Sequence, residues 1–369
     1  PGLRVESNCQ NCNFSQVRML GLEGPYSQIL VDGQPTVSSL ALVYGIEQFP
    51  ARLIDSVEVV KGGGSAVYGA GAVGGVINLI SHQPSHTSAS AEVRSQSMSG
   101  EVGRSLSGFA DWASVSGRTT ATVFGQVDEV PPVDLDGDGF TEVTLRDLST
   151  FGLRLERWVV ADSGRLTAEL NSTREDRRGG ELSSRPPHET ELAEEILTDR
   201  WGGSVAWLHT PSPRFDYRLV GSVANTSRDS YYGAGMDPNA YGTTENPLLI
   251  ADCQFNRYFG ASTLTGGLQY TRDRIEDEQL GYGRVIEETY TDIGAFVQDD
   301  RQLGESLTLL YGLRVDDHSA VDRAIASPRL AAMWSPRSDL TVRTSVSRGF
   351  RPPMVFDEDL HILLVGGGE

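Results

Sequence analysis

Alternation of apolar and polar residues dominates the chain after about residue 88. In residues 340–347, for example, Leu340, Val342 and Val346 share one face while Arg343 lies on the other. Successive side chains of a strand point to opposite faces, so such a segment predicts a strand with one apolar and one polar face. We count about 12 segments of this kind. The clearest are 151–156, 166–171, 215–223, 264–271, 293–298, 307–315 and 340–347.

Two β architectures share this alternation, namely a soluble sandwich and a barrel that crosses a membrane. The polar faces here carry full charges, as at Arg154, Glu156 and Arg218, and tryptophans fall near the ends of several long segments. A charged interior and aromatic residues at both membrane interfaces are typical of barrels in lipid. We therefore predict an all-β transmembrane barrel of antiparallel strands. The alternative is a soluble or surface-attached β-barrel binding module without transport activity.

The predicted connections fall into two lengths. Tight turns are expected at 116–118, 210–213 and 335–337, whereas 174–195 and 229–249 are long and polar. Transmembrane barrels carry short turns on one side and longer loops on the exterior side. We therefore expect both long segments to be exterior loops.

The first 84 residues do not follow this pattern and are predicted to form a separate domain. Four strands are predicted near 16–20, 28–31, 56–60 and 75–79, with a short helical turn near 40–44. A polar, proline-containing link at 81–84 marks the boundary, so that 1–84 is one domain and 85–369 is the barrel.

The densest motif of the first domain is glycine-rich. Gly69, Gly71 and Gly74 spell G-x-G-x-x-G after a strand, which is the pattern of a dinucleotide-binding turn. That turn must open a helix, but Val76 and Ile77 continue as a β-branched run, which favours a strand. We interpret residues 54–80 as two strands joined by a close-packing turn.

Composition excludes several function classes. Glycine provides 41 of 369 residues and hydrophobic residues only 38%, so one dense apolar core is not expected. A formal charge of -19 argues against nucleic acid as a partner. No apolar stretch reaches the length of about 18 residues that a transmembrane helix needs. Nucleophile-elbow, P-loop and H-E-x-x-H motifs are missing, so no enzyme is predicted.

The order of motifs in the first domain carries a family resemblance. VRMLGLEGPYSQILVDGQP at 17–35, followed by QFPARLIDSVEVVKGGGSAVYGAGAVGGVINLIS at 48–81, resembles the plug domain of TonB-dependent outer-membrane receptors. The segments 134–142 and 345–360 resemble barrel segments of the cobalamin and siderophore branch of that family. The resemblance covers nearly all of the first 84 residues and, with the later motifs, extends over most of the chain.

The resemblance implies an α+β plug inside a barrel of about 22 strands. It implies import of a scarce nutrient, such as a ferric siderophore, cobalamin, haem or another metal complex, without chemistry on the ligand. The implied partners are outer-membrane lipid, the small-molecule or metal-chelate ligand, and a TonB-type energy-coupling protein of the inner membrane that moves the plug. The implied location is the outer membrane of a Gram-negative-type bacterium.

The family pattern also sets expectations for the two ends of the chain. A signal sequence and an energy-coupling box would precede residue 1, and about ten more strands would follow residue 369. An open sheet edge has unpaired backbone groups that lipid cannot satisfy. We therefore expect this sequence to be a fragment of a longer protein.

The resemblance assigns two groups of plug residues. Arg18, Glu58 and Lys61 would face charges of the barrel lumen, although solvated charges at strand ends are the alternative. The apex of the plug would face the ligand, and a disulfide between Cys9 and Cys12 would stiffen it in the oxidising envelope; a soft-metal or haem contact is the alternative. The apex residues are Cys9, Cys12, Asn13, Phe14, Ser38 and Ser39.

An acidic segment resembles the first half of a calcium loop. Asp134, Asp136 and Asp138 precede Gly139 in the order D-x-D-x-D-G, and Glu142 follows. The twelfth position of an EF-hand would be occupied by Leu145 instead of glutamate, so a complete EF-hand is excluded. The carboxylates either bind Ca²⁺ in another geometry or stay hydrated, and no cofactor is required.

The two predicted long loops supply the remaining candidates. Arginine and aromatic side chains suit an anionic or planar ligand such as a ferric chelate or a porphyrin, but they are equally common in solvated loops. The predicted ligand contacts are Arg177, Arg178, His188, Tyr231 and Tyr232.

Overall fold

A computed structural model describes residues 2–8, 14–35, 47–63, 67–69, 71–181 and 185–352. β-strands account for nearly all the regular structure of these residues. The only helical elements among them are 3-10 turns of three residues each, which are too short to span a bilayer. The helical turn predicted near 40–44 lies outside the described residues.

The first domain contains two small sheets. An antiparallel pair, β1 with β2, stands beside a sheet of four strands in the order β4-β3-β6-β5, in which β3 and β6 run parallel. All four predicted strands are present, and β1 and β4 are additional. The strands are β1 (Leu3–Asn8), β2 (Phe14–Met19), β3 (Ser27–Val31), β4 (Gln34–Pro35), β5 (Ile54–Lys61) and β6 (Gly75–Ser81).

The core of this domain is formed where β6 packs between the other strands. Met19, Leu30 and Val76 are buried, and Ile77 and Leu79 pack beside them. The apolar run that argued against a dinucleotide-binding helix thus forms β6, one of the two inner strands of the four-stranded sheet. The predicted boundary at residue 84 falls in the link between β6 and the first barrel strand.

Thirteen strands form one antiparallel sheet in which each strand pairs with its neighbours in sequence, from β7 to β19. Their number agrees with the estimate from the alternating pattern. The strands are β7 (Ser88–Met98), β8 (Glu101–Ala113), β9 (Thr119–Val130), β10 (Leu145–Val160), β11 (Gly164–Gly180), β12 (Leu192–Ser212), β13 (Phe215–Ala234), β14 (Tyr241–Tyr258), β15 (Ser262–Gln279), β16 (Arg284–Leu303), β17 (Leu307–His318), β18 (Ile325–Arg337) and β19 (Leu340–Ser347).

Burial in this sheet is the reverse of burial in a soluble protein. On β10, Phe151 and Leu155 are 59% and 46% exposed, whereas the polar Thr150, Arg154 and Glu156 between and beside them are buried. A soluble sandwich would bury the apolar face and expose the charged one. An exposed apolar face is stable only against lipid or another apolar surface. The predicted barrel is therefore favoured over the soluble alternative.

A charge on the apolar face should be costly in the middle of the sheet. Leu170, in the centre of β11, is 65% exposed on this face, so Leu170→Arg should lower the free energy of unfolding in lipid vesicles by about 2–4 kcal/mol. Val159 is exposed on the same face near the end of β10, and Val159→Arg should cost about 0–1 kcal/mol there. Urea unfolding of the complete protein in vesicles measures both, and equal costs would contradict a lipid-facing belt.

The connections differ in length between the two ends of the sheet. One end, the short-turn end, carries 114–118, 161–163, 213–214, 259–261, 304–306 and 338–339. The other end, the long-loop end, carries 99–100, 131–144, 181–191, 235–240, 280–283 and 319–324.

The predicted loop bounds 174–195 and 229–249 were too wide. Strands β11 to β14 continue through most of both segments and leave only 181–191 and 235–240 as connections. Backbone pairing extends the strands there even though the residues are polar, because one face of each strand points inward and stays polar along its whole length.

Candidate functional site

Of the six residues predicted to form the plug apex, only Phe14 lies within the described residues. Cys9, Cys12, Asn13, Ser38 and Ser39 lie outside the described residues, so the apex, the disulfide and the soft-metal alternative stay predictions. Phe14 begins β2, and only its backbone is described. The remaining cysteine, Cys253, is a free thiol on the exposed face of β14.

The charges predicted to join plug and barrel each have a neighbour within the plug. Arg18 pairs with Glu6 on the neighbouring strand of the plug, with Nε 2.8 Å from Oε2. Glu58 accepts a hydrogen bond from Asn78, also in the plug, at 3.1 Å. Lys61 ends β5 opposite Gly75. Arg18 and Glu58 therefore link neighbouring plug strands, and their role toward charges of the barrel lumen stays a prediction.

One set of plug-to-barrel contacts, the Glu47 cluster, involves Glu47 and Gln48 on the plug side. Arg146 donates to the Glu47 carboxylate at 2.7 Å, and Arg177 pairs with the same carboxylate. Gln48 donates to Glu175 at 2.8 Å, and Glu175 in turn pairs with Arg177. Arg177 and Glu175 are almost completely buried, so the cluster is a charge network inside the barrel.

A second set, the Asp32 cluster, lies around the turn between β3 and β4. Arg154 of β10 reaches the Asp32 carboxylate with Nη2 at 3.3 Å, and Arg218 of β13 donates to the Asp32 carbonyl oxygen at 2.8 Å. Gln34 donates to Asp252 of β14 at 3.3 Å. The plug is thus bound to the polar face of β10, β11, β13 and β14 through arginines and carboxylates.

Further contacts hold other parts of the plug. His82 contacts Asp111 at 2.9 Å, Arg52 donates to Ser90, and Arg329 donates to the carbonyl oxygen of Gly63 at 3.0 Å. The sequence pattern marked the polar faces as charged but gave no signal for these partners, because each pair is far apart in the chain. Plug and barrel residues in these contacts are separated by up to 266 positions.

The predicted loop contacts divide between two faces. Arg177 and Tyr232 are buried on the polar face, with Arg177 in the Glu47 cluster. Tyr231 is buried with Ala193 and stacks edge-on against Tyr241, whose hydroxyl lies 2.7 Å from Nδ1 of His188. The structure therefore brings His188 and Tyr231 together at the long-loop end. Arg178 lies nearby, with Nη2 at 3.5 Å from the Thr190 hydroxyl.

The acidic loop is ordered by its own backbone. Asp134, Asp136 and Asp138 bring a carboxylate oxygen each within 4.8 Å of one another. The Asp134 carboxylate accepts N–H groups from Gly139 and Gly137, and these bonds hold its pKa below the usual range. Glu142 accepts the N–H of Leu135 at 2.6 Å and is not part of the three-carboxylate group. The oxygen-only donor set fits a hard cation.

Calcium binding at this loop remains a prediction. With three clustered carboxylates we expect a dissociation constant of about 0.1–1 mM. Because backbone N–H groups lower the pKa of Asp134, this carboxylate stays charged to a lower pH than an ordinary aspartate. Terbium luminescence displaced by Ca²⁺ measures the site, and Asp136→Asn should weaken binding whereas the distant Asp162→Asn should not. Equal affinities of both variants would contradict the prediction.

Comparison with known proteins agrees with this arrangement. The TonB-dependent Receptor Plug Domain matches residues 1–76, and the family described as TonB dependent receptor-like, beta-barrel matches residues 101–360. The probable TonB-dependent siderophore receptor PirA of Acinetobacter baumannii is 23% identical over the whole chain, which covers 56% of that protein. The vitamin B12 transporter BtuB of Vibrio vulnificus is 25% identical over 97% of the chain and 57% of its own length.

A solved structure gives the same fold. A mutant of the ferric enterobactin receptor PfeA from Pseudomonas aeruginosa aligns with a TM-score of 0.79 at 18% identity, covering 96% of this chain and 58% of that one. The chain therefore spans little more than half the length of the relatives that it matches. Because the barrel family alone covers most of its residues and the plug family precedes it, the chain belongs to the TonB-dependent receptors of the bacterial outer membrane.

Proposed function

We propose that the complete protein imports a scarce nutrient across the outer membrane by energy-coupled movement of its plug. The observation that supports this is the occupation of the barrel's polar face by a plug bound through buried charges. A barrel with a free lumen would let solutes diffuse, whereas a bound plug must be displaced. Displacement requires energy from outside the barrel, which a TonB-type partner of the inner membrane would supply.

The proposed cargo is a ferric siderophore, cobalamin, haem or another metal complex. The relatives are named as siderophore and vitamin B12 receptors, and these cargoes are bulky and scarce. Arg178, His188 and Tyr231 lie at the long-loop end, where an incoming ligand first meets the barrel. The ligand passes through without covalent change.

Uptake by living cells tests this proposal. A strain that lacks its own receptors would express the complete protein and be given labelled ferric siderophores, cobalamin, haem or copper. We expect uptake of one of these cargoes that stops when the TonB-type protein is deleted. Binding without uptake would instead support a receptor or surface binding module. Partition of the complete protein entirely into water, without detergent or outer membrane, would contradict the membrane barrel itself.

A further inference from the structure

The turn between β3 and β4 contacts the barrel wall through both its side chain and its backbone. Asp32 and Gly33 have φ of +51° and +77°, the combination that an Asp-Gly hairpin turn favours. Gly33 lies close to Arg218, since a Cβ added at this glycine would be 3.3 Å from Nη1 of that arginine. The turn therefore brings plug backbone directly against a barrel arginine.

Two barrel arginines, which lie on different strands, contact this turn. Arg154 of β10 contacts the Asp32 carboxylate and also donates to the carbonyl oxygen of His82 at 3.3 Å. Arg218 of β13 donates to the main-chain oxygen of Asp32. One tight turn thus receives bonds from two strands that are not neighbours in the sheet.

Each group in this contact has a second partner on its own side. Arg154 pairs with Glu169 of the barrel at 2.6 Å, and Arg218 pairs with Asp252 of the barrel at 3.4 Å. The Asp32 carboxylate accepts the N–H of Ser81 in the plug at 2.9 Å. Breaking an ion pair inside a protein is costly mainly when a charge is left alone. Here separation of turn and wall leaves each arginine paired with a barrel carboxylate, and it leaves Asp32 with its hydrogen bonds from Ser81.

A cavity of about 540 Å³ borders the same contact. The turn forms part of its plug side together with Tyr68, Asn78 and Ile80, and Arg154, Arg218, Ser204 and Ser222 lie on its barrel side. The volume is in the range of small-molecule sites, and the lining combines apolar, polar and charged side chains. Movement of the turn away from the two arginines would join this cavity to the space that the turn vacates.

We propose that the Asp32–Gly33 turn is a reversible latch that closes this cavity against the wall of β10 to β14. The latch opens by an exchange of partners, in which Arg154 stays with Glu169, Arg218 stays with Asp252 and Asp32 stays with Ser81. The four-stranded plug sheet remains folded while the latch opens. The role of the opening in import depends on the proposed function, but the latch itself is a property of the chain without ligand or energy-coupling partner.

Cysteine labelling in outer membranes tests the latch. Ser222→Cys reports the cavity, and Ser27→Cys, at a position only 2% exposed in β3, reports unfolding of the plug sheet. Modification by a hydrophilic maleimide is followed at each site by mass spectrometry, so that native cysteines do not interfere. The complete protein is used in a strain that lacks the TonB-type protein, without added ligand.

Asp32→Asn keeps a residue that tolerates positive φ but removes the charge that Arg154 contacts. We expect labelling at Ser222→Cys to become about tenfold faster, as the loss of one charge-assisted hydrogen bond predicts. Labelling at Ser27→Cys should stay slow. Asp55→Asn is the matched control, because Asp55 is an exposed carboxylate of the plug strand β5 and does not line the cavity. Arg218→Gln, which weakens the latch from the barrel side, should act in the same direction as Asp32→Asn.

Three results would overturn the latch. Labelling at Ser222→Cys that does not change in Asp32→Asn and Arg218→Gln would show that the turn does not close the cavity. Equal acceleration at Ser27→Cys would show that the plug sheet unfolds instead. Equal acceleration by Asp55→Asn would show that any loss of plug charge has the same effect. Because the assay needs neither cargo nor coupling partner, these results are separate from failure of the import proposal.

Discussion

Arg177→Met is expected to lower the free energy of unfolding of the plugged barrel by about 3–5 kcal/mol. Arg177 is 3% exposed and pairs with both Glu47 of the plug and Glu175 of the barrel. Its removal leaves two carboxylates with less counter-charge inside the barrel, and methionine fills a similar volume without replacing the charge. Chemical unfolding of the complete protein in detergent micelles, followed through the resistance of the plug to protease, measures the loss.

The same strand provides the control for this prediction. Arg174 is exposed, and its closest approach to Asp199 is 4.0 Å, so Arg174→Met should change the stability by about 0–1 kcal/mol. An equal loss of unfolding free energy in both variants would contradict the prediction. It would show that the contact of Arg177 with the plug adds nothing to the effect of removing an arginine from β11.

The Glu47 cluster should also make attachment of the plug depend on pH. Burial by itself raises the pKa of Glu47, but Arg177 and Arg146 outweigh it and hold the pKa below the usual range of a glutamate. A lowered pKa in the folded state gives stability that is present above the unfolded pKa and is lost as the pH falls through the folded one. Protease resistance of the plug should therefore decrease below about pH 4.5.

Gly75→Ala is expected to prevent the plug from folding, with a loss of more than about 3 kcal/mol. Gly75 opens β6 with φ of +147° and lies between β3 and β5. An added Cβ would overlap Sδ of Met19 and the carbonyl oxygen of Val60, and Cα of Lys61 would be 3.3 Å away. The backbone oxygen cannot move without breaking the pairing of β5 with β6. Protease sensitivity of the plug in an otherwise heat-stable barrel is the expected result.

Gly71→Ala is the control for this prediction, because it separates the cost of steric crowding from the cost of backbone strain. Gly71 also has positive φ, at +91°, but no atom lies within 4 Å of a Cβ placed there. Alanine should cost about 1 kcal/mol at this position through strain alone. A plug that tolerates Gly75→Ala as well as Gly71→Ala would contradict the close packing of β6 against Met19 and Val60.

Local pattern was sufficient for much of the fold. The period-two alternation predicted the barrel strands, and the β-branched run after Gly75 predicted a strand in place of a nucleotide-binding helix. Both signals arise within a few residues, because strand faces alternate along the backbone regardless of what they contact. The ends of the strands were predicted less well, since 174–195 and 229–249 are polar and pairing with neighbouring strands carries β11 to β14 through them.

The partners of individual charges required the tertiary structure. Arg18 and Glu58 are charged plug residues in the matching motifs, yet they pair with Glu6 and Asn78. Asp32 and Glu47, which the motifs did not single out, are among the plug residues that barrel arginines bind. A charge in a sequence gives its sign but not the direction of its side chain, and direction decides which of several arginines it meets.

The sequence by itself therefore determined the class of this protein: a plug followed by strands with one apolar and one charged face. That follows because covalent spacing alone fixes which side chains share a face. Only the tertiary structure decided that Arg177 and Tyr232 lie inside and that Asp32 meets both Arg154 and Arg218. These facts depend on contacts between residues more than 100 positions apart, and such contacts form only when the plug and the barrel wall are folded together.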